Sequence, residues 1–333
     1  MRRIALLASL ACSIPCTIYS MEDLNTKVGN IIKLFQHENH FSSRTVNNVT
    51  HPAEILVMHY TAETLERTIE KFAGPDTVVS AHYVISEQGT LFQNVADEHA
   101  AHHAGLSYWR GITGTPAGSR TGAMNLHSLG IEHVNIGYRA NDKQPRGTVR
   151  PGDDREWYKF EEPQIQASIK LAQALIAKYK IKQEDVVGHS DIAPKRKVDP
   201  GPLFPWHKFA ANGVGAWPNP IPTDSARLDC FNEMNDALDV ALDKDDDNLS
   251  NQMLENWTIE HLHYWGYKKP DQDMSKKPEE RASARDIVKA FQMHFQSVDD
   301  ERCATLGIAD YDTAVILNSL LCKYKGTDCP CKN

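Results

Sequence analysis

Five residues carry types suited to hydrolytic chemistry: His59, Glu132, His189, Lys197 and Asp199. Two imidazoles and one carboxylate make a zinc donor set that leaves the fourth tetrahedral position open, as catalytic rather than structural sites do. Zinc in such a site lowers the pKa of a bound water to about 7. Glu132 sits inside the apolar run LGIEHVNI, residues 129–136. Burying a carboxylate there is costly unless it is paired or put to use. Beside an activated water it can serve as general base, a role worth roughly 10²–10⁴ in rate. Its phase with Ile131 and His133 equally allows a solvent-facing position on a half-exposed strand. Lys197 lies two residues from Asp199, on the same side of an extended loop. An ammonium there can stabilise an oxyanion by about 3 kcal/mol. A surface lysine is the plainer alternative. No contiguous H-E-x-x-H zinc helix occurs.

These residues need elements to bring them together. AEILVMHY, residues 53–60, reads as a buried strand with His59 near its C-terminal end. A helix over 63–72 follows, with Thr61 as its expected N-cap. Residues 80–95 alternate on either side of Glu87-Gln88-Gly89, which predicts a hairpin. Residues 99–110 gather three histidines with Tyr108 and Trp109 and show no period. Residues 138–162 read as a long surface loop. The clearest helix is 163–180, with Pro163 in its first turn and apolar residues at three and four. Val186-Val187 form a short strand leading into the loop of His189 and Asp199. Pro194 and Pro200 break any helix that would align those two, so a folded loop must bring them together. Alternating strands and helices predict an α/β fold, a central mixed sheet flanked by helices. Residues 212–224, rich in Gly and Pro, read as a linker. Helices expected at 226–242, 254–264, 282–295 and 311–324 make a small all-α domain.

The chain has 333 residues, 41% apolar and 24% charged, and a formal net charge of -8. That balance suits a folded globular protein and argues against a general nucleic-acid binder. Residues 1–20 combine Arg2 and Arg3 with an apolar run from Ile4 to Ile14, the pattern of a secretory signal peptide. Cys12 and Cys16 raise lipid anchoring, although the residues before them fit a lipoprotein signal poorly. No later segment is long and apolar enough to span a bilayer. Five cysteines lie in the last third: Cys230, Cys303, Cys322, Cys329 and Cys331. An oxidising compartment permits disulfides among them, with a connectivity the spacing leaves open. The acidic run 243–247 lacks the Gly and terminal Glu of a calcium loop.

Taken in order, VMHYTA, SAHYVI, HHAGLSYW, LGIEHVN and GHSDIAPKRKVDPGPLFPW closely resemble the zinc-dependent N-acetylmuramoyl-L-alanine amidases of the type-2 amidase family, the AmpD/AmiD group. Their fold is shared with peptidoglycan recognition proteins. The resemblance covers about 50–218 and implies a catalytic domain over 21–218. It implies His59, His189 and Asp199 as zinc ligands, Glu132 as the catalytic carboxylate and Lys197 as the basic residue supporting the transition state. His103 falls on the family's Trp-His-Ala-Gly histidine, with His102 in place of the Trp. Tyr108, Trp109 and Asn135 are the further candidates for substrate contact, and His82 and His133 read as structural. EHLHYWGY, VKAFQMHFQ and DYDTAVILNSLL resemble the helical peptidoglycan-binding domain of the AmiD-type branch, giving a second domain over 225–333. The expectation is a monomeric zinc amidase acting on peptidoglycan or muropeptides. It is expected to be secreted across the inner membrane to the periplasm or outer membrane, soluble or peripherally or lipid-anchored. A non-catalytic peptidoglycan-recognition module and a zinc hydrolase of another amide are the alternatives.

Overall fold

The computed structural model describes residues 29–34, 38–75, 77–113, 122–139, 156–219, 247–271, 281–296 and 306–326. Residues 1–20, read above as a signal peptide, the helix expected at 226–242, and Cys230, Cys303, Cys329 and Cys331 lie outside them. Cys322 is disulfide-bonded.

Six strands form the central sheet: β1 (Ile31–Lys33), β2 (Ile55–Tyr60), β3 (Tyr83–Ile85), β4 (Leu91–Gln93), β5 (Ser128–His133) and β6 (Val186–Gly188). Their spatial order is β1-β4-β3-β5-β2-β6. Every neighbouring pair is parallel except β3 and β4, the expected hairpin. The sheet is therefore mixed, as the alternating pattern predicts. Between β2 and β5 the register pairs Glu132 with His59. Paired residues on parallel strands project from the same face, so this register alone puts the two side chains together.

Strand β2 is buried on both faces, which explains its unbroken apolar run. Leu56 and Met58 join one core with the long helix α2 (Glu162–Tyr179), whose Ile165, Ile169, Ala172 and Leu175 face the sheet. Ile55 and Val57 point the other way. They join a second core built with α3 (Asp247–Trp265), α4 (Ala284–Phe295) and α5 (Tyr311–Lys325). Leu262, Trp265, Phe291, Leu317 and Leu321 belong to that core together with Val187 of β6. The helices thus form layers on both faces of the sheet, the second layer coming from the end of the chain.

Three local expectations change. Helix α1 (Leu65–Ala73) is capped by Thr64, whose side chain accepts from the Arg67 N–H, and not by Thr61. Thr61 instead donates to the Glu63 carbonyl. Within 99–110, His99–Ala101 pairs with Phe41–Ser43 and Tyr108–Trp109 pairs with Ile112–Thr113. These strands are too short to show a period. Residues 212–219 are tied to α5: the Trp217 N–H donates to Tyr324 Oη at 3.2 Å and Lys323 Nζ donates to the Trp217 carbonyl at 3.1 Å.

Candidate metal centre

Strands β2, β5 and β6 run parallel, and the site lies where their C-terminal ends meet. Strand β2 brings His59 and β5 brings Glu132. Strand β6 hands over directly to a short helix, His189–Ile192, that starts with His189. The chain then turns back through Pro194 so that the Ser190 N–H donates to the Asp199 carbonyl at 2.8 Å. His59, His189 and Asp199 are all buried, and their donor atoms lie within 4.8 Å of one another. Both imidazoles place Nδ1 against the same carboxylate oxygen, Asp199 Oδ2, at 2.9 Å from His59 and 3.0 Å from His189.

The surrounding hydrogen bonds assign the protons. His189 Nε2 lies 3.0 Å from the Ala104 carbonyl, which can only accept, so this nitrogen carries the hydrogen. Burial pushes His189 down to about 4, against the pull of Asp199, so the ring is neutral and its Nδ1 is bare. On the other side, Ser128 Oγ donates to the Met124 carbonyl at 2.6 Å. Its oxygen accepts from His103 Nε2 at 3.1 Å. Burial holds His103 well below its ordinary value, so His103 Nδ1 is an acceptor, and it takes the Nε2 hydrogen of His59 at 3.0 Å. His59 then turns its Nδ1 to Asp199. His59 Nδ1, His189 Nδ1 and Asp199 Oδ2 thus converge on one point, which fits a divalent cation held by nitrogen and oxygen donors.

Glu132 stands beside this set. Burial raises it to about 7; the Asp199 charge adds to the rise, while His59 and Lys197 oppose it. Its Oε2 is buried and has no hydrogen-bond partner. The strand therefore holds a carboxyl whose proton affinity sits near neutrality, as general bases require. Lys197 lines the same groove and makes no side-chain hydrogen bond or ion pair among the described residues.

The groove encloses about 680 Å³. His103, Tyr60, Ile136, Tyr138, Arg139, Tyr158 and Arg196 also line it. His102 is there too, fixed by Val78 and Ser42. Trp109 is elsewhere: it is 1% exposed, its indole donates to Asp185 at 3.2 Å, and it packs against Tyr267. Tyr108 stacks toward His263 of α3 and does not line the groove. Asn135 is buried beside it, where it bonds the Lys159 carbonyl and accepts from the Gly137 N–H at 2.6 Å. His82 and His133 are structural: His82 accepts from the Gly130 N–H, and His133 joins the His59 carbonyl to Ser168 of α2. Ser128 escapes sequence reasoning because a serine inside a strand carries no signal. Arg196 had one, its place beside Lys197.

A family description, N-acetylmuramoyl-L-alanine amidase, matches residues 49–202, the segment that contains all five residues of the site. The N-acetylmuramoyl-L-alanine amidase AmiD of Escherichia coli K12 is 36% identical over 284 residues, 81% of this chain and 83% of the relative. The chain belongs to the N-acetylmuramoyl-L-alanine amidase family. The 1,6-anhydro-N-acetylmuramyl-L-alanine amidase AmpD of Enterobacter cloacae is 31% identical over 133 residues, 40% of this chain and 56% of AmpD. Among solved structures, E. coli AmiD in complex with anhydro-N-acetylmuramic acid-L-Ala-D-gamma-Glu-L-Lys superposes with a TM-score of 0.60 at 32% identity. It covers 84% of this chain and 93% of its own. AmpDh3 of Pseudomonas aeruginosa with an anhydromuramic pentapeptide gives 0.59 at 29% identity over 85% and 96%. Both likenesses cover more of this family member than residues 49–202 do.

Proposed function

We propose that this protein is a zinc amidase that cleaves the bond between the lactyl group of N-acetylmuramic acid and the L-alanine of the stem peptide. The observation that carries this reading is the convergence at the centre: His59 Nδ1, His189 Nδ1 and Asp199 Oδ2 meet beside Glu132, whose buried Oε2 has no hydrogen-bond partner. Zinc held by His59, His189 and Asp199 would supply Lewis acidity and an acidified water. Glu132, with its carboxyl near neutrality, takes the proton of the attacking water and delivers it to the alanine nitrogen as the C–N bond breaks. The Lys197 ammonium faces the groove and offsets the charge that grows on the carbonyl oxygen. Tyr60, Tyr138 and Tyr158 give the groove flat apolar walls with polar tips, suited to a sugar and a short peptide.

The comparisons support this reading, since AmiD and AmpDh3 are each captured with anhydromuramyl peptides. An extracytoplasmic place of work follows from the N-terminal segment and agrees with the disulfide at Cys322. Among the described residues no helix is long and apolar enough to cross a membrane. Digesting purified muropeptides, anhydro and ordinary, and weighing the products tests the proposal. Free stem peptide with an intact muramyl sugar is the expected result. Acetate release would make it a deacetylase, and no product under zinc would make it a recognition module.

A further inference from the structure

The sheet and the helical layer meet at one buried acidic group that the proposed chemistry does not use. Asp191 is 1% exposed and lies two residues after His189. Its Oδ2 accepts from the Gly188 N–H at 2.6 Å, the bond that turns β6 into the short helix. The same oxygen accepts from His294 Nδ1 of α4 at 2.7 Å. Its Oδ1 accepts from Tyr267 Oη, just after α3, at 2.6 Å. Two of the three donors to this carboxylate thus come from the helical layer.

Those donors are themselves fixed. The His294 ring stacks on Trp206 at 3.7 Å between centroids and on Phe295 at 3.9 Å. Tyr267 is fully buried and packs edge-on against Trp109. The turn they reach has no slack. A Cβ at Gly188 would stand 2.8 Å from Pro200 Cδ, and Pro200 directly follows Asp199. Apolar contacts such as Phe291 and Leu262 already join the two layers. A buried carboxylate adds a desolvation cost that mere adhesion would avoid.

We infer that Tyr267 and His294 are positioning residues: through Asp191 they hold the Gly188–His189 turn so that His189 faces Asp199. The helical layer is then a brace for the metal loop. The consequence for metal binding rests on the proposed function; the consequence for the turn does not.

The test uses the full chain with Tyr267→Phe, His294→Leu and the double variant. His294→Asn, which keeps a donor near the Nδ1 position, is the rescue. Tyr324→Phe is the control, since it weakens a bond between Trp217 and α5 in which Asp191 takes no part. Amide hydrogen exchange at residues 188–192 of the metal-free protein is read against exchange in α2. Zinc affinity is read by competition with a chromophoric chelator. The inference expects exchange at 188–192 to speed at least tenfold in Tyr267→Phe and His294→Leu while α2 is unchanged. Zinc affinity should fall about 10–100-fold, the usual loss for a partner behind a ligand. His294→Asn should recover most of both, and Tyr324→Phe should match wild type. Wild-type exchange at 188–192 in the double variant would overturn the inference, as would an equal loss in Tyr324→Phe. If the wild type itself binds no zinc, the metal reading fails, and the exchange data alone decide the brace.

Discussion

Glu132 is placed so that its role can be separated from that of the metal donors. It belongs to the strand next to His59 but not to the set of atoms that meets at Asp199 Oδ2. Glu132→Gln should therefore lower kcat by roughly 10²–10⁴. Zinc content, measured by atomic emission on the dialysed protein, should stay at the wild-type level. Full activity in this variant would remove the general-base assignment. The same substitution has a signature in stability. The folded Glu132 carboxyl is raised to about 7 from 4.5, so the folded state holds its proton more tightly. Its contribution is intact below pH 4.5 and is lost as the pH rises through 7, a cost of about 3 kcal/mol. Metal-free Glu132→Gln should thus be more stable than metal-free wild type at pH 8, with the gap closing toward pH 4.5. Urea unfolding at both pH values checks the sign. The residue types of the site were legible in the sequence: two histidines, an aspartate behind a proline turn and a carboxylate inside an apolar run. Trp109 was not, because an aromatic beside histidines looks the same in a groove or a core. What buries it is Tyr267, more than 150 residues later.

At the scale of elements, existence and type were readable from period and turn chemistry, as for the strands at 55–60 and 83–93 and the helix at 162–179. Strand order was not. Nothing local says that β5 inserts between β3 and β2, although this brings Glu132 to His59. The second support of the site is steric. A Cβ on Gly130 of β5 would lie 2.6 Å from the His103 ring, the ring that receives the His59 hydrogen. Gly130→Ala must push that ring aside, because strand backbone does not yield as a flexible side chain does. The variant should lose about 1–3 kcal/mol of stability by overpacking. It should also bind zinc more weakly, as a paired unfolding and zinc titration would show. Wild-type zinc affinity in Gly130→Ala would mean that the His103 contact does not orient His59.

At the scale of the molecule, amphipathic helices announce that they bury a face but not what they bury it against. From the sequence, 212–224 reads as a linker to a small all-α domain; in the fold, Trp217 is bonded to α5 and one apolar core runs from β2 to α5. A shared core should melt as a unit. Phe291 is fully buried in it, and Phe291→Ala should cost about 3–5 kcal/mol. The loss should appear together in far-UV circular dichroism and in tryptophan fluorescence on heating. Two separated transitions would show that the layers are independent. The layering also bears on the order in which the protein can be made. Ile55, Val57 and Val187 are translated first, whereas Leu317, which closes the same core with Leu320 and Leu321, follows Val187 by 130 residues. A chain growing from its N-terminus leaves that side of its sheet without these partners until residues 317–321 have been made. The nascent protein thus carries an uncovered apolar sheet face over that interval, and its metal loop acquires its brace only once Tyr267 and His294 have been made.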